Sequence, residues 1–227
     1  DKNWGATEHS FSLLLDRHVR PGMRVLEVGA AKAWASQHVV PLGCEYVATD
    51  ILADPVIGLG RGAFYEERIG AFARVQADGE HLPFAPEAFD VTYCVAALHH
   101  ALDMTAMVRE MARVTRAGGV VAACVWDHGG EQGPLSLYWH AARQSDPMVH
   151  DESNLAGVRE GHLASLFQDA GLSDIESTVL VADLEMATFD EWWEPFTHGV
   201  GPAGAHLGGL DPDAQAAHFA AVDLADG

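Results

Sequence analysis

Met23-Arg-Val-Leu-Glu-Val-Gly29-Ala-Ala-Lys-Ala-Trp34 is the stretch that decides the fold. Val25, Leu26 and Val28 form an apolar run, which is typical of a strand buried on both faces of a parallel sheet. Small residues follow at and after Gly29, and a helix is predicted directly after them. A strand, a tight turn of small residues and a helix open a nucleotide-binding βαβ unit, because glycine and alanine let a ligand approach the backbone.

A carboxylate ends the second predicted strand, Glu45–Asp50. Asp50 lies 21 residues after Gly29 (50 − 29). At the tip of the next strand, one acid can accept hydrogen bonds from both hydroxyls of a ribose. Several classes of adenosine cofactor, NAD included, are bound in this way, so Asp50 alone does not identify the cofactor. An Asp that only caps the following turn is the alternative.

A third short strand, Ala73–Asp78, also ends in an acid and is followed by Gly79. Leu-Pro-Phe at 82–84 and Phe-Asp-Val at 89–91 come next, and the latter opens an apolar strand that runs to about residue 97. A helix is predicted near Met104–Thr115, with Gly118-Gly119 as its stop, and a fifth apolar strand at 120–126. The methionines between these strands keep helical spacing, which indicates core packing.

Together these segments resemble the class I S-adenosylmethionine (SAM)-dependent methyltransferases, in particular their small-molecule branch. The family's turn has the form acidic-x-Gly-x-Gly-x-Gly, and this chain has Glu27-x-Gly29-x-Ala31-x-Ala33. The block from Asp78 through Leu-Pro-Phe to Phe-Asp-Val is the more specific match, and it argues against an NAD enzyme. The likeness covers about residues 20–126. Ala31 and Ala33 are expected to fit SAM only if their backbone φ angles are negative and the cofactor can shift by about the size of a methyl group.

The resemblance implies an α/β fold: a doubly wound, mostly parallel Rossmann-like sheet in the order 3-2-1-4-5. We predict one domain over residues 1–227, with a cofactor-binding core at 20–126 and an acceptor or lid region at 127–227. It also implies which residues hold SAM. They are Glu27, Gly29, Ala30, Ala31, Asp50, Ile51, Asp78, Gly79 and Val95.

Composition limits the possible partners. Lys and Arg number 13 against 33 Asp and Glu, which gives a formal net charge of −20. Such acidity argues against nucleic acids and anionic membranes, and suits a neutral or cationic small-molecule acceptor. Three dispersed cysteines without a Cys-x-x-Cys motif indicate reduced thiols. We see no signal peptide or membrane span, so a cytoplasmic protein is expected.

The second half of the chain predicts mainly helices. An amphipathic helix is also expected earlier, at 8–19. Helices are predicted around Tyr138, over Glu160–Ala170, at Thr188–Phe196 and from Asp211 to about residue 224, the last with an N-cap and first-turn proline pattern. Residues 198–209 are rich in Gly and Pro and predict a loop. Apolar and polar residues alternate over Asp174–Val181, and this pattern predicts an antiparallel edge strand.

Methyl transfer from a sulfonium needs positioning in line with the acceptor and sometimes a base, and no metal site is predicted. A base should come from a strand tip, and histidine titrates near neutral pH. His100 is the first candidate, followed by His99 and His128, although each has an ordinary packing role as its alternative. Five aromatic residues either wall an acceptor pocket or pack in a core: Trp126, Tyr138, Trp139, Trp192 and Trp193.

Three functions follow from these observations. The first is a SAM-dependent methyltransferase that transfers a methyl group to a small molecule by in-line displacement. The second is a non-catalytic relative that keeps the fold as a binding or regulatory protein, because two glycines of the turn are replaced and Lys32 adds a positive charge. The third is a nicotinamide oxidoreductase. The acceptor, the methylated atom and the oligomeric state are left open by the sequence.

Overall fold

The computed structural model of the chain describes residues 11–12, 15–131, 133–155, 157–180, 188–199 and 201–226. These residues form two compact units. The first, called the sheet unit, runs to Val125 and includes Gly161–Leu180. The second, called the helical unit, contains Trp126–Glu160 and the described residues from 188 onward. The organisation of residues 1–227 as one domain stays a prediction.

Five strands form one sheet in the order β3-β2-β1-β4-β5, and every neighbouring pair is parallel. The predicted order and the α/β class are therefore confirmed. Because all strands run in one direction, their carboxyl ends share one edge of the sheet. The strands are β1 (Arg24–Val28), β2 (Glu45–Asp50), β3 (Ala73–Gln76), β4 (Phe89–Val95) and β5 (Thr115–Cys124).

Helices account for most of the remaining described residues. They are α1 (Ser36–Val39), α2 (Ala63–Ile69), α3 (Met104–Val114), α4 (Ser136–Ser145), α5 (His162–Asp169), α6 (Phe189–Thr197), α7 (Gly201–Gly209) and α8 (Pro212–Asp226). Short 3₁₀ helices lie at Val40–Leu42, Leu59–Gly62, Leu98–His100 and Glu152–Asn154. Of the helix predicted at 8–19, residues 11–12 and 15–18 are helical, and positions 8–10, 13 and 14 lie outside the described residues.

Apolar side chains cover both faces of the sheet, as a doubly wound fold requires. Successive side chains of β1 point to opposite faces. Val25 accordingly belongs to one core cluster with Phe11 and Leu15, and Leu26 belongs to another with Met111. The methionine stripe of α3 is thus core, as its helical spacing predicted.

Helix α3 ends at Val114, within one residue of its predicted end, and β5 begins at once with Thr115. Gly118 and Gly119 therefore lie inside β5, and the prediction that they stop the helix was wrong. The β-branched Thr115 favours a strand. A Cβ on Gly119 would lie 2.6 Å from the carbonyl oxygen of Asp90, so glycine is what allows β5 to approach β4.

The antiparallel edge strand predicted over Asp174–Val181 was also wrong. Residues 174–180 contain no strand, and position 181 lies outside the described residues. Val179 is 75% exposed and Leu180 49% exposed, so the alternating pattern is not matched by burial of one face. Alternation alone does not make a strand, because the backbone also needs a hydrogen-bonding partner.

The Gly- and Pro-rich segment 198–209 was predicted as a loop, but residues 201–209 form helix α7. Pro202 lies in the first turn, where a missing N–H costs nothing. Ala203 and Leu207 are buried, and tertiary packing of such a face supplies the stability that glycine lacks in a helix.

The helical unit has its own core, built from α4, α6, α7 and α8. Its buried members are mostly aromatic or small, namely Tyr138, Trp139, Ala141, Ala142, Trp193, Phe196, Ala203, Leu207 and Val222. The helix predicted from Asp211 is confirmed as α8. Among the residues that the structure describes, no helix combines the length and the apolar character that crossing a bilayer requires.

Candidate functional site

The turn after β1 is bonded to the end of β2. The backbone N–H groups of Gly29 and Ala30 both donate to the carbonyl oxygen of Thr49, at 2.9 and 2.8 Å. Gly29 has φ +75°, and a Cβ built on it would lie 2.4 Å from the Cβ of Ala97. Glycine is therefore required at this position for both conformation and space.

Ala31 and Ala33 adopt left-handed backbone, with φ +43° and +56°. The condition of negative φ, set for these alanines to fit the cofactor, is therefore not met. Two hydrogen bonds hold this conformation: Ala31 N–H donates to Asp50 Oδ2 at 2.7 Å, and Ala33 N–H donates to the Ala30 carbonyl at 2.7 Å. Left-handed backbone costs an alanine roughly 1–2 kcal/mol. The turn thus keeps a conformation suited to glycine at a cost in stability.

Asp50 connects the tip of β2 to this turn. Its Oδ2 accepts from Ala31, and its Oδ1 accepts the Leu52 N–H at 2.8 Å. A carboxylate offers about four lone-pair sites. Asp50 therefore keeps acceptor capacity for two further donors, while Ile51 next to it is 69% exposed.

Asp78 and Gly79 follow β3. Asp78 Oδ1 accepts the Glu80 N–H at 2.9 Å, and this bond lowers the pKa of the Asp78 carboxyl. A Cβ on Gly79 would lie 3.1 Å from both Val28 Cγ1 and the Met107 side chain. Gly79 is thus packed closely against the end of β1 and helix α3, and the carboxylate beside it is ionised.

Glu27 is enclosed in the sheet core. It is 1% exposed, and its Oε2 accepts a hydrogen bond from the Tyr46 hydroxyl. Burial raises the pKa of Glu27 to about 8, against the opposing influence of Tyr46 and Tyr93, and the charge of Asp50 raises it further. At neutral pH Glu27 is therefore mostly protonated and acts as a neutral partner of Tyr46.

The end of β4 carries Val95, His99 and His100. Val95 is half-buried at the last position of the strand, and the two histidines follow in a 3₁₀ helix whose first residue, Leu98, is buried. The His99 and His100 rings lie with centroids 4.0 Å apart. His100 is exposed and His99 half-buried.

His128 lies in the helical unit, four residues after Cys124, the last residue of β5. It is 8% exposed. Burial lowers the pKa of the imidazole, while the carboxylates of Glu152, Asp127 and Asp151 raise it. The imidazole is therefore neutral at pH 7.

Of the aromatic residues predicted to wall an acceptor pocket or pack in a core, three pack in the core of the helical unit. These are Tyr138, Trp139 and Trp193. Trp126 and Trp192 are half-buried. The indole N–H of Trp192 donates to the Pro134 carbonyl at 3.3 Å.

The structure brings the predicted residues of the turn and of β2 into one hydrogen-bonded group, since Gly29 and Ala30 share the Thr49 acceptor and Ala31 bonds to Asp50. Lys32, in the same turn, is exposed to solvent. Sequence reasoning missed the Thr49 carbonyl, which has no side-chain signal. It also missed Ala97, whose small size after an apolar strand was the available clue to a close approach.

Part of the chain is similar to known methyltransferases. A family model described as a methyltransferase domain matches residues 26–123. The demethylmenaquinone methyltransferase of Mycobacterium marinum is 32% identical over 106 residues, which cover 47% of this chain and 42% of that protein. The chain thus spans less than half the length of that relative.

Solved structures share the fold. A Haloferax volcanii methyltransferase, solved with the Trm112 methyltransferase activator, has a TM-score of 0.63 at 19% identity, with 84% of this chain and 78% of that chain covered. The YcgJ protein of Bacillus subtilis has a TM-score of 0.62 at 21% identity, with 92% and 87% covered. The match to the methyltransferase-domain model over residues 26–123 and the likeness to these solved structures thus agree on a methyltransferase-like fold.

Proposed function

We propose that the protein transfers the methyl group of SAM to a small-molecule acceptor. The observation that carries this proposal is the bond from Ala31 N–H to Asp50 Oδ2, which joins the turn to the acid at the tip of β2. Asp50 keeps lone pairs for two ribose hydroxyls. The two alanines that replace glycines keep the left-handed backbone that glycine favours, so the shape of the turn is preserved although each adds a methyl group.

The residues present fit SAM. In the proposed arrangement Asp50 accepts from the ribose, Ile51 and Gly79 lie against the adenine, and Asp78 accepts from its exocyclic amine. The glycine turn and Val95 face the methionine part. Lys32 is exposed, so its charge does not compete with a cationic cofactor.

SAM supplies an electrophilic methyl group on a sulfonium. The chain's residues then have to hold the acceptor in line with that methyl group and, for an O–H or N–H acceptor, take its proton. His100, His99 and His128 are the proposed bases.

A small-molecule acceptor is supported by two observations. The formal charge of −20 suits neutral or cationic molecules. A relative that is 32% identical over 106 residues carries the name demethylmenaquinone methyltransferase. Reduced demethylmenaquinone is therefore the first acceptor to test.

Calorimetric titration with S-adenosylhomocysteine tests the cofactor. We expect micromolar binding, and a loss of about 1–3 kcal/mol of binding free energy in Asp50→Ala, because hydrogen bonds to a charged group are lost. Asp169→Ala, which removes an exposed carboxylate from the end of α5, is the matched control and should bind as wild type.

Equal affinity of Asp50→Ala and wild type would contradict the assignment of Asp50. Binding of NADH in place of S-adenosylhomocysteine would contradict the cofactor class. Tight binding of S-adenosylhomocysteine without methyl transfer to any acceptor would favour the non-catalytic relative instead.

A further inference from the structure

A cavity of about 370 Å³ lies within the helical unit, bounded by α6, α7 and α8. Three aromatic side chains line it, namely Trp193, Phe196 and Phe219. The Trp193 ring meets the Phe219 ring at 87° with centroids 5.2 Å apart, and it meets the Phe196 ring at 76° with centroids 5.8 Å apart. Aromatic planes at such angles form separate walls, as in the aromatic cages that bind quaternary ammonium groups.

Glycines keep the cavity open on the side of α7. Gly204 and Gly208 lie about one helical turn apart, and both line the cavity. A Cβ on Gly204 would lie 2.5 Å from the carbonyl carbon of Gly199, so glycine lets α7 approach the end of α6. A Cβ on Gly208 would meet no atom of the described residues within 4 Å. The cavity is therefore bounded by close helix packing at Gly204 and stays unfilled at Gly208.

Two polar side chains that line the cavity, Thr197 and Gln215, have already used their hydrogen atoms. The Gln215 amide nitrogen donates to the carbonyl oxygens of Leu207 and Leu210, at 3.1 and 3.0 Å. The Thr197 hydroxyl donates to the Glu194 carbonyl at 2.7 Å. What these two side chains can still offer a ligand is oxygen lone pairs, which suit a cation and repel an anion.

The charges near the cavity also favour a cation. Residues 188–226 contain seven Asp or Glu and no Lys or Arg. Phe196 and Thr197 belong to the last turn of α6, and the carboxyl end of a helix carries a partial negative charge. The opposing positive end of α8 is capped by Asp211, whose Oδ1 accepts the Ala214 N–H at 2.9 Å. A positively charged ligand is therefore the one that this surface attracts.

We propose that this cavity binds a small organic cation, an ammonium group with apolar carbon substituents. The rings of Trp193, Phe196 and Phe219 provide apolar contact and the negative π faces that attract a cation. A neutral molecule of the same shape would make the apolar contacts without the electrostatic gain. Every residue of this site lies in the helical unit, and binding there needs neither the cofactor nor methyl transfer.

Two small molecules that differ mainly in charge test the site. Choline and neohexanol have nearly the same shape, because a quaternary carbon in neohexanol replaces the charged nitrogen. Each is titrated into the full chain and followed by the NMR signal of the Trp193 indole N–H, which the spectrum of Trp193→Phe assigns. We expect choline to bind at least about tenfold more tightly than neohexanol, because cation–π attraction adds to the contacts that both molecules make.

Gly208→Leu tests the location of the site. We expect it to bind choline at least about tenfold more weakly than wild type, because the leucine occupies the open space and excludes the ligand. Gly209→Leu is the matched control. A Cβ on Gly209 likewise meets no atom of the described part of the chain within 4 Å, but Gly209 does not line the cavity. Gly209→Leu should therefore bind choline as wild type does.

Phe219→Leu tests the aromatic wall, because it keeps an apolar side chain and removes the ring. We expect the preference for choline over neohexanol to shrink about threefold or more, with little change in the affinity for neohexanol. Phe189→Leu is the control, since Phe189 is half-buried in the same core and does not line the cavity. It should keep the wild-type preference.

Three results would overturn the proposal. Equal affinity of wild type for choline and neohexanol would make the cavity an apolar site only. Choline binding that Gly208→Leu leaves unchanged would place the cation elsewhere on this acidic chain. An unshifted Trp193 signal with both molecules would mean that the cavity binds neither. Absence of S-adenosylhomocysteine binding, by contrast, removes the proposed function and leaves these titrations as they are.

Discussion

The sheet unit and the helical unit each contain a deeply buried ionisable side chain whose pKa is strongly shifted, and these two side chains have opposite acid–base character. Glu27 in β1 is 1% exposed, and burial raises its pKa to about 8. His218 in α8 is 3% exposed, and burial lowers its pKa to about 4, with the charge of His206 acting in the same direction. Glu27 and His218 are therefore both mostly uncharged at neutral pH. Base should destabilise the sheet unit, and acid should destabilise the helical unit.

The largest expected effect concerns Glu27. Because its folded-state pKa is raised above the ordinary value of 4.5, its contribution is fully present below pH 4.5 and is lost as pH rises through 8. At about 1.4 kcal/mol per pKa unit, the free energy of unfolding should fall by up to about 5 kcal/mol. Protection factors of β1 amides in hydrogen exchange, compared at pH 4.5 and pH 9, measure this loss.

Glu27→Gln, which cannot ionise, should remove that pH dependence from the β1 amides. Glu45→Gln changes an exposed acid on β2 and should retain it. Equal protection factors of wild-type β1 amides at the two pH values would show that Glu27 ionises without a loss of stability. The contrast drawn between Glu27 and His218 would then be wrong.

A smaller effect of opposite sign is expected from His218. Its folded-state pKa is lowered, so its contribution is present above pH 6.5 and is lost as pH falls toward 4. The loss should reach roughly 3 kcal/mol, and exchange of α8 amides at pH 7 and pH 4.5 measures it.

His218→Leu should flatten the acid dependence of α8, because no buried group then needs to bind a proton. His140→Asn alters an exposed histidine on α4 and serves as the control. If α8 amides in His218→Leu lose protection in acid as strongly as in wild type, another group governs the helical unit.

The smallest effect tests the turn. Ala31→Gly should stabilise the sheet unit by about 1 kcal/mol, because glycine adopts φ +43° without the strain that alanine bears. Urea unfolding followed by β1 amides measures it, with Ala30→Gly as the control in the same turn. If Ala31→Gly unfolds at a lower urea concentration than wild type, the Ala31 backbone bears no strain that glycine can relieve.

The sheet unit could be predicted because its signals are local. Apolar runs such as the one at Val25 and Leu26 mark buried parallel strands, and acids such as Asp50 mark their carboxyl ends. The sign of φ at Ala31 could not be predicted, because the hydrogen bond that holds it runs from Ala31 N–H to an acceptor 19 positions away.

The helical unit was harder to predict for a physical reason. Helix α7 is rich in glycine, and it forms because Ala203 and Leu207 pack into a core whose other members are distant in sequence. Glu152 carried no sequence signal, since its effect on the pKa of His128 arises from burial. Helix propensity describes an isolated segment, whereas helix α7 and the burial of Glu152 depend on packing against residues that are distant in sequence.

The bond between Ala31 and Asp50 also has a consequence for the rate of ligand capture. The turn is held by hydrogen bonds within the protein, to Thr49 on one side and to Asp50 on the other. Association therefore need not wait for a loop to order, and its rate should increase linearly with cofactor concentration, without a plateau set by a slow conformational step.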